Sequence, residues 1–337
     1  MNTGSAPSAE TGVAYYADKR AALERLFGTR DLEIEADTLR VGRRRYPILR
    51  DVIQLTLETD IGGVRETDTR PVAVDIRDTF GAEWQAYPEI LAEHAAEFRQ
   101  YFDLVPLDSL RGQRVADLGC GMGRWSHFLK DVCGELVLVD FSEAIFVARR
   151  NLADCPRALF FQGDLERLPF AADSFDFTFS LGVLHHLPTP ALEAVRRLAP
   201  LAPRQLLYLY YALDNRPAHF RALLAAVTAA RGVLCRIRSR RFRRAFSWAI
   251  AAGVYRPLVA LGNVAELFHA GHRVPLWEFY RGHCTQRLEQ DVYDRFFTRI
   301  EQRVSRREIL SLRDTFDEVR ISEGVPFWHF LCLREGR

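Results

Sequence analysis

The segment that most constrains the fold is a glycine-rich turn, GCGMG at residues 119–123, which directly follows the apolar run RVADL. Glycines between a strand and a helix let the backbone approach a ligand closely, and the helix that follows offers unpaired N–H groups. Nicotinamide and flavin sites use such turns too. The turn alone therefore predicts an α/β nucleotide-type site and leaves the ligand open.

The residues around this turn predict a parallel sheet. ELVLVD, ALFFQGD, FDFTFSLG and RQLLYLYYAL are further apolar runs, and the helical patterns RWSHFLKDVC and EAIFVARRNL separate the first three strands. Strand and helix in alternation are typical of parallel strands with crossover helices. EILSLRDTF then predicts a helix, and DEVRIS and FWHFLCLR predict two closing strands. The predicted fold is α/β, with a Rossmann-like sheet of seven mostly parallel strands and an antiparallel C-terminal hairpin.

The N-terminal part has a different pattern of predicted helices and strands. Residues 15–28 predict an amphipathic helix ending at Gly28, residues 32–60 predict two or three short strands, and residues 79–102 predict helices. We therefore divide the chain into an accessory module with lid helices at 1–103 and a main domain at 104–337. A helical insertion of about 213–300 follows the fifth strand of that domain.

Composition and cysteine spacing exclude several classes. Of the 337 residues, 48% are hydrophobic, which is enough for a sizeable core. The net charge of only +2 gives the protein no overall positive potential that would attract nucleic acid. None of the six cysteines forms a CxxC pair, so we expect neither a disulfide framework nor a metal site. The N-terminus lacks a signal-peptide pattern and no run of eighteen apolar residues occurs. These features predict a cytoplasmic protein.

Two carboxylates indicate which ligand the turn would hold. Asp117 stands two residues before the first glycine, where it would repel a pyrophosphate but attract a cationic sulfonium and ammonium. The spacing GxGxG also differs from the GxGxxG of dinucleotide sites. Asp140 ends the next strand, where a carboxylate can accept both ribose hydroxyls of an adenosine. The alternative for Asp140 is a strand-end residue that caps the following helix through Ser142.

Four ordered motifs carry a resemblance to a known family. VADLGCGMGRW, LVLVDFSEAI, FFQGDLERLPF and FDFTFSLGVLHHL resemble the class I methyltransferase domain of the ubiquinone-biosynthesis type, which uses S-adenosylmethionine (SAM) and releases S-adenosylhomocysteine. The resemblance covers residues 113–210, and 305–334 more loosely. It implies a cofactor site made of Asp117, Gly119, Cys120, Gly121, Gly123, Asp140, Phe141, Asp164, Leu165, Ser180 and Trp84.

The resemblance also implies a role for each part of that set. Asp117 and the turn shape the methionine end, Asp140 binds ribose with Phe141 beside adenine, and Asp164 with Leu165 reads the adenine edge. Ser180 passes under the sulfonium, and Trp84 helps to close the pocket. The alternatives are a turn residue for Asp164 and a core tryptophan for Trp84. Further lid candidates are Tyr15, Tyr16 and the segments 80–84 and 279–283.

No catalytic residue follows from the motifs, because methyl transfer depends mainly on positioning and needs a base only when the acceptor is protonated. Substrates of open parallel sheets bind beyond the carboxyl ends of the strands. His185, His186 and Tyr211 occupy such positions after the fourth and fifth strands and are the candidates. Packing is the alternative role for both histidines.

Two accessory segments carry less specific signals. Residues 39–62 faintly resemble a zinc-ribbon-like module found in some bacterial methyltransferases, but they lack its cysteines, so we expect no metal there. From Asn215 to Ala265 the chain has ten Arg and no Asp or Glu, and an apolar stretch follows the basic run. Peripheral membrane contact through 231–262, binding of phosphates, and a solvated helical cap all fit this pattern.

The sequence thus predicts a SAM-dependent methyltransferase that modifies a small-molecule or lipid-linked acceptor, in the cytoplasm or at the membrane surface. The first alternative is an RNA methyltransferase that uses the Arg-rich insertion; weak aromatic interleaving of the basic run argues against nucleic acid. The second is a SAM-binding protein that is a non-catalytic partner or catalyses another reaction. Acceptor identity and oligomeric state do not follow from the sequence.

Overall fold

A computed structural model describes residues 15–35, 37–60, 63–66 and 88–335. The strands are β1 (Leu32–Glu35), β2 (Thr38–Val41), β3 (Arg44–Leu49), β4 (Val52–Gln54), β5 (Leu57–Asp60), β6 (Gly63–Glu66), β7 (Arg114–Leu118), β8 (Glu135–Asp140), β9 (Ala158–Gln162), β10 (Phe177–Leu181), β11 (Arg204–Tyr208), β12 (Glu318–Ile321) and β13 (His329–Leu333).

The helices are α1 (Arg20–Phe27), α2 (His94–Tyr101), α3 (Ala144–Asn151), α4 (Ala191–Leu198), α5 (Ala218–Leu234), α6 (Arg240–Ile250), α7 (Arg256–Glu266), α8 (Trp277–Tyr280), α9 (Thr285–Phe297) and α10 (Arg306–Leu310). The chain divides into two compact units. The first comprises residues 1–69, 107–179 and 198–204, and the second comprises 70–106, 180–197 and 205–337.

The first unit is built on one sheet. Its strands lie in the order β1-β2-β3-β4-β9-β8-β7-β10, and β4, β9, β8, β7 and β10 run parallel. Strands β7 to β10 are almost continuously buried, as expected for a parallel sheet covered on both faces. The order reverses at β7, since β8 and β9 extend to one side and β10 to the other. Such a switch point is where open α/β sheets bind ligands.

The N-terminal strands are continuous with this sheet. β1 to β4 pair antiparallel in succession, and β4 then pairs parallel with β9, Ile53 opposite Phe161. Tyr16 is completely buried, and its hydroxyl donates to the carbonyl of Asp51 at 2.8 Å and accepts from the N–H of Phe160 at 3.3 Å. Tyr16 therefore stabilises the pairing of the N-terminal strands with β9 and is not a lid residue. Residues 1–103 thus do not correspond to one compact unit, because β4 extends the sheet of the main domain.

The second unit contains the helical insertion and the C-terminal hairpin. Its strands lie in the order β11-β13-β12, with β12 and β13 antiparallel, as the sequence predicted. A buried bidentate ion pair joins α2 to α9: Arg287 donates to both carboxylate oxygens of Glu97, at 2.9 and 3.2 Å. Asp103 accepts from Ser322 Oγ and contacts His329 Nε2, both at 2.6 Å, which fixes the hairpin to the segment after α2.

The insertion is helical as predicted, and its central helix is long. α6 and α7 form one helix that is interrupted by a π turn at Ala251–Tyr255. Pro257 has no N–H to donate to the preceding turn, which accounts for the change of hydrogen-bond register just before it. The inner side of this helix packs with α9, where the Phe246 ring lies 5.3 Å from that of Phe296. Tyr255 and Leu288 lie in the same core.

One predicted helix differs from the structure. RWSHFLKDVC was expected to be the helix after the glycine turn, but the described backbone has only a 3-10 turn at Ser126–Phe128. Phe128 N–H donates to Trp125 and Leu129 N–H to Ser126, so the bonds close after three residues rather than four. Ser126 in this turn is completely buried, and its hydroxyl donates to Asp117.

Candidate functional site: the glycine turn and its carboxylates

The glycine turn has the backbone that its sequence requires. Gly119, Gly121 and Gly123 have φ angles of +86°, +53° and +78°, which side-chain-bearing residues rarely adopt. The N–H groups of Gly119 and Cys120 both donate to the carbonyl of Val139, at 2.8 and 3.0 Å. Because β7 and β8 are neighbours, these bonds draw the turn toward the carboxyl end of β8, where Asp140 lies.

Asp140 organises this turn. One carboxylate oxygen accepts the N–H of Gly121 at 2.8 Å, and the other accepts the N–H and hydroxyl of Ser142 at 2.8 and 2.6 Å. Burial raises the pKa of the Asp140 carboxyl, and these hydrogen bonds oppose that shift. The contact with Ser142 matches the capping alternative, while the contact with Gly121 joins Asp140 to the turn. Each oxygen retains acceptor capacity, so ribose binding stays a compatible prediction.

Asp117 is a buried carboxylate beneath the turn. It accepts from Ser126 Oγ at 2.7 Å, and burial raises the pKa of its carboxyl to about 7; Asp140 raises it further, and Ser126 and Arg124 lower it. Ser126, nine residues after Asp117, is a positioning residue that the sequence reasoning missed. A buried acid with an elevated pKa gains most from a nearby cation. The carboxylates of Asp117 and Asp140 fit the positively charged ammonium and sulfonium of SAM and do not fit a negatively charged pyrophosphate.

The adenine-edge candidates follow the carboxyl ends of β8 and β9. Phe141 is half-buried, and its carbonyl accepts from the side chain of Gln162 at 3.3 Å. Asp164 accepts the N–H of Glu166 at 2.9 Å, so it begins the short 3-10 turn that contains the buried Leu165. This is the turn role given above as the alternative for Asp164, and it leaves the adenine role a prediction.

The remaining cofactor candidates have separate placements. Cys120 is buried, and burial raises the pKa of its thiol well above its usual value, so it is a neutral lining residue. Ser180 is fully buried on β10 and directly follows Phe179, which lies opposite Asp117. Trp84 and the segment 80–84 lie outside the described residues. Among the described residues, no group of three His, Cys, Asp or Glu side chains could hold a metal ion.

Gly123 packs the turn against α3. A Cβ atom there would stand 2.8 Å from Leu152 Cδ1 and 3.1 Å from Ala148 Cβ. We expect Gly123→Ala to lower the free energy of unfolding by about 2–4 kcal/mol, through the positive φ and the overpacking together. Urea unfolding would measure this. Gly112→Ala is the matched control, since its φ of +74° is similar but a Cβ there meets no atom within 4 Å. Equal losses in the two variants would contradict the packing role.

The predicted catalytic residues belong to the second unit, where His185 is completely buried. Its ring stacks on Tyr210 at 3.9 Å, and its Nδ1 accepts the Tyr210 N–H at 3.4 Å. Burial, with smaller contributions from His186 and Arg303, holds the pKa of His185 well below its usual value, so the ring is neutral. The ring proton then stands on Nε2, which has no hydrogen-bond partner among the described residues. This donor is suited to a polar ligand atom.

His186 and Tyr211 have partners. His186 Nδ1 donates to the carbonyl of Ile300 at 2.7 Å, and Nε2 lies 3.7 Å from Asp294, which also accepts from the Tyr210 hydroxyl. This network matches the packing alternative for His186. The Tyr211 hydroxyl accepts from Arg216 at 3.4 Å, and burial raises its pKa, so it stays protonated. Of the three candidates, His185 therefore has the ring N–H that remains without a partner.

Comparisons with known proteins concern the part of the chain that contains this turn. Residues 115–201 match the family described as a methyltransferase domain. A tRNA U34 carboxymethyltransferase of Pseudomonas paraeruginosa is 38% identical over 90 residues, which are 25% of this chain and 28% of that protein. A demethylmenaquinone methyltransferase of Clavibacter sepedonicus is 42% identical over 90 residues, 26% of this chain and 37% of that protein. The chain thus spans about a third of these relatives' length.

Among solved structures, magnesium protoporphyrin IX methyltransferase from Synechocystis with bound SAM is 23% identical to this chain. The similarity covers 48% of this chain and 88% of that one, with a TM-score of 0.35.

Proposed function

We propose, from the premise that residues 115–201 are a class I SAM-dependent methyltransferase domain, that this chain transfers a methyl group to a small-molecule or lipid-linked acceptor. The observation that carries the proposal is the glycine turn bound to Asp140 above the buried carboxylate of Asp117. That arrangement offers negative charge and close backbone approach at one place. Both are features that a cationic adenosine cofactor requires.

The chain's own residues would bind and orient. When bound, SAM supplies a methyl group on a positively charged sulfur. Asp117 would balance the positive charge, and the turn would hold the methionine end at close range. Asp140 would bind the ribose by accepting hydrogen bonds from its hydroxyls, with the carboxylate lone pairs that Gly121 and Ser142 do not occupy. In the second unit, His185 is neutral and its Nε2–H has no hydrogen-bond partner among the described residues. It would donate a hydrogen bond to a polar ligand atom and would not act as an acid, because its pKa is well below its usual value.

Three observations favour a small or lipid-linked acceptor. After β10 the chain reads SLGVLHHL, and not the Asn-Pro-Pro-Tyr type of motif that many amine methylators carry. One relative is named a demethylmenaquinone methyltransferase, which supports a quinone-like or other apolar acceptor by analogy. An apolar acceptor also suits the exposed apolar helices of the insertion.

RNA is the second candidate. Several relatives are named tRNA U34 carboxymethyltransferases, and the insertion carries exposed arginines that could contact phosphates. A net charge of +2 and the predominance of aliphatic over aromatic side chains among the exposed apolar residues of the insertion weigh against it.

Transfer of labelled methyl groups would distinguish these acceptors. The protein would be incubated with methyl-labelled SAM and, separately, with a polar metabolite extract, a lipid extract and total RNA of the native host. We expect label in one of the two extracts, and none when Asp140→Ala replaces the wild type. Label confined to nuclease-sensitive RNA would establish the second candidate instead. SAM binding with no label in any fraction would contradict methyl transfer to all three acceptor classes.

A further inference from the structure

The helical insertion exposes most of the large apolar side chains that face solvent in the described residues. Ten such side chains are strongly exposed, and nine of them lie between residues 223 and 268. The most exposed are Leu267 and Phe268, at 78% and 79% of their maximal area. A monomeric soluble surface rarely concentrates apolar side chains in this way, so this surface is a candidate for docking.

The long helix α6–α7 has two apolar faces. Its inner face buries Ser247, Ala251, Tyr255 and Val259 at every fourth position, in contact with α9. Its outer face is exposed at Leu261 and Val264, three residues apart, and Leu267 and Phe268, directly after its last residue, extend this apolar surface. Packing in the core of the second unit therefore explains why the inner face is apolar. It does not explain why the outer face is apolar.

From residue 215 to 265 the charged side chains are all arginines, and the exposed Glu266 then follows, next to Leu267. Four of the ten arginines in 215–265 are held inside the unit: Arg216 by Glu278, Arg231 by Glu301, Arg243 by the carbonyls of Cys235 and Ile237, and Arg256 by Thr285. The other six are exposed and have no acidic partner among the described residues: Arg221, Arg236, Arg238, Arg240, Arg241 and Arg244.

We propose that the exposed face of α5–α7, residues 221–268, docks on an anionic phospholipid bilayer. The apolar stripe would enter the headgroup boundary, and the six arginines would contact lipid phosphates. This inference goes beyond the proposed function, because it depends only on exposure and charge and not on methyl transfer.

The same features disfavour other partners. A second copy of the chain would bring two sets of six unpaired arginines together, which is electrostatically unfavourable. RNA would use the arginines and could stack on the three exposed aromatic rings, Phe242, Trp248 and Phe268. It would gain little from the six exposed aliphatic side chains, since bases stack on aromatic rings rather than on aliphatic side chains. A bilayer with anionic headgroups accommodates the cationic and the aliphatic parts at once.

The geometry favours a helix in the plane of the membrane. Arg240–Glu266 is the one helix among the described residues that is long and apolar enough to cross a bilayer by length and composition. Its inner face, however, carries Arg243 and Tyr255 packed against α9. Spanning would detach these side chains from their core and expose them to hydrocarbon. An in-plane helix keeps the inner face packed and uses the outer face alone.

Vesicle flotation of the full chain tests the proposal. Vesicles of phosphatidylcholine alone and with 30% phosphatidylglycerol would be compared at about 50 and 500 mM salt. We expect binding to the anionic vesicles at low salt and at least about 10-fold weaker binding to neutral vesicles or at high salt. The variant Leu261→Gln/Leu267→Gln/Phe268→Gln should bind at least about 10-fold more weakly. So should Arg238→Gln/Arg241→Gln/Arg244→Gln.

The matched control is Arg20→Gln/Arg111→Gln/Arg320→Gln, which makes the same change of net charge at arginines that are also more than half exposed elsewhere. It should bind vesicles like the wild type. Calorimetric SAM binding by every variant checks folding and separates this result from the proposed function.

Several outcomes would overturn the inference. One is no binding to anionic vesicles at low salt. Another is binding that the apolar variant retains in full. A dimer that this variant converts to a monomer would identify a self-interface, and binding to tRNA that only the arginine variant loses would identify RNA.

Discussion

Replacing Asp140 with alanine should weaken SAM binding by about 100- to 1000-fold in isothermal titration calorimetry. A hydrogen bond to a charged group contributes about 1.5–3 kcal/mol, and the carboxylate would accept two from the ribose hydroxyls. A tenfold change in affinity corresponds to about 1.4 kcal/mol, so the two bonds account for the expected loss. The variant also frees the N–H of Gly121, which loosens the turn that faces the methionine end.

Two further variants separate ribose binding from the local structural role. Ser142→Ala removes the hydroxyl that donates to Asp140 at 2.6 Å but leaves the carboxylate in place, so we expect less than about a fivefold change. Asp140→Asn keeps the shape and loses the charge, and should fall between the two. Thermal unfolding midpoints would verify that all three variants fold. An Asp140→Ala protein that binds SAM within threefold of the wild type would disprove the ribose assignment.

The parallel strands could be predicted because each is encoded locally. ELVLVD is apolar over its middle four residues and ends in a polar turn, and it forms β8 with Leu136 to Val139 buried. Asp140 is thereby placed at the carboxyl edge by its position in the sequence alone. The acid at the head of the glycine turn follows in the same way from β7.

The sheet extension could not be predicted in this way. β4 has only three residues, Val52–Gln54, and its partner β9 begins about a hundred residues later. Local periodicity does not encode a pairing over that separation, so the N-terminal strands were expected to form a separate module. The buried hydroxyl of Tyr16 is part of the same long-range arrangement.

Which arginines of the insertion are exposed could not be predicted from the sequence either. Arg241 and Arg243 are two residues apart in one basic run, yet Arg241 is exposed and Arg243 is buried with its guanidinium on backbone carbonyls. Composition identifies the basic stretch but not which side of the helix faces the core. That division depends on how α6 rotates against α9, which only the packed structure determines.

Asp117→Asn should stabilise the protein without cofactor at pH 8 and remove the pH dependence of SAM binding near neutrality. Burial raises the pKa of the folded-state carboxyl to about 7, from a reference of 3.8. Below pH 4 the group is protonated in both folded and unfolded chains. As the pH rises from 4 to 7, Asp117 is ionised in the unfolded chain but still protonated in the folded chain, so the free energy of unfolding falls. Above pH 7 the carboxyl is ionised in both states, and its effect on the free energy of unfolding no longer changes with pH.

Asparagine has nearly the same shape, can accept from Ser126 Oγ, and carries no titrating proton. The stability gain of Asp117→Asn should therefore grow between pH 4 and pH 7 and then level off. At pH 8 we expect a gain on the order of 2–4 kcal/mol in urea unfolding. Asp108→Asn, at an exposed carboxylate, is the control and should show no such growth.

Cofactor binding should respond in the opposite sense. A cation at the methionine end favours the ionised carboxylate, so wild-type SAM affinity should rise between pH 6 and pH 8 with release of a proton. The variant should bind more weakly at pH 8 and show a flat profile, because its side chain cannot ionise. Calorimetry in buffers of different ionisation enthalpy would measure the released proton. Identical pH profiles for the two proteins would mean that Asp117 does not sense the cofactor's charge. The buried acid would then cost stability without contributing to SAM binding.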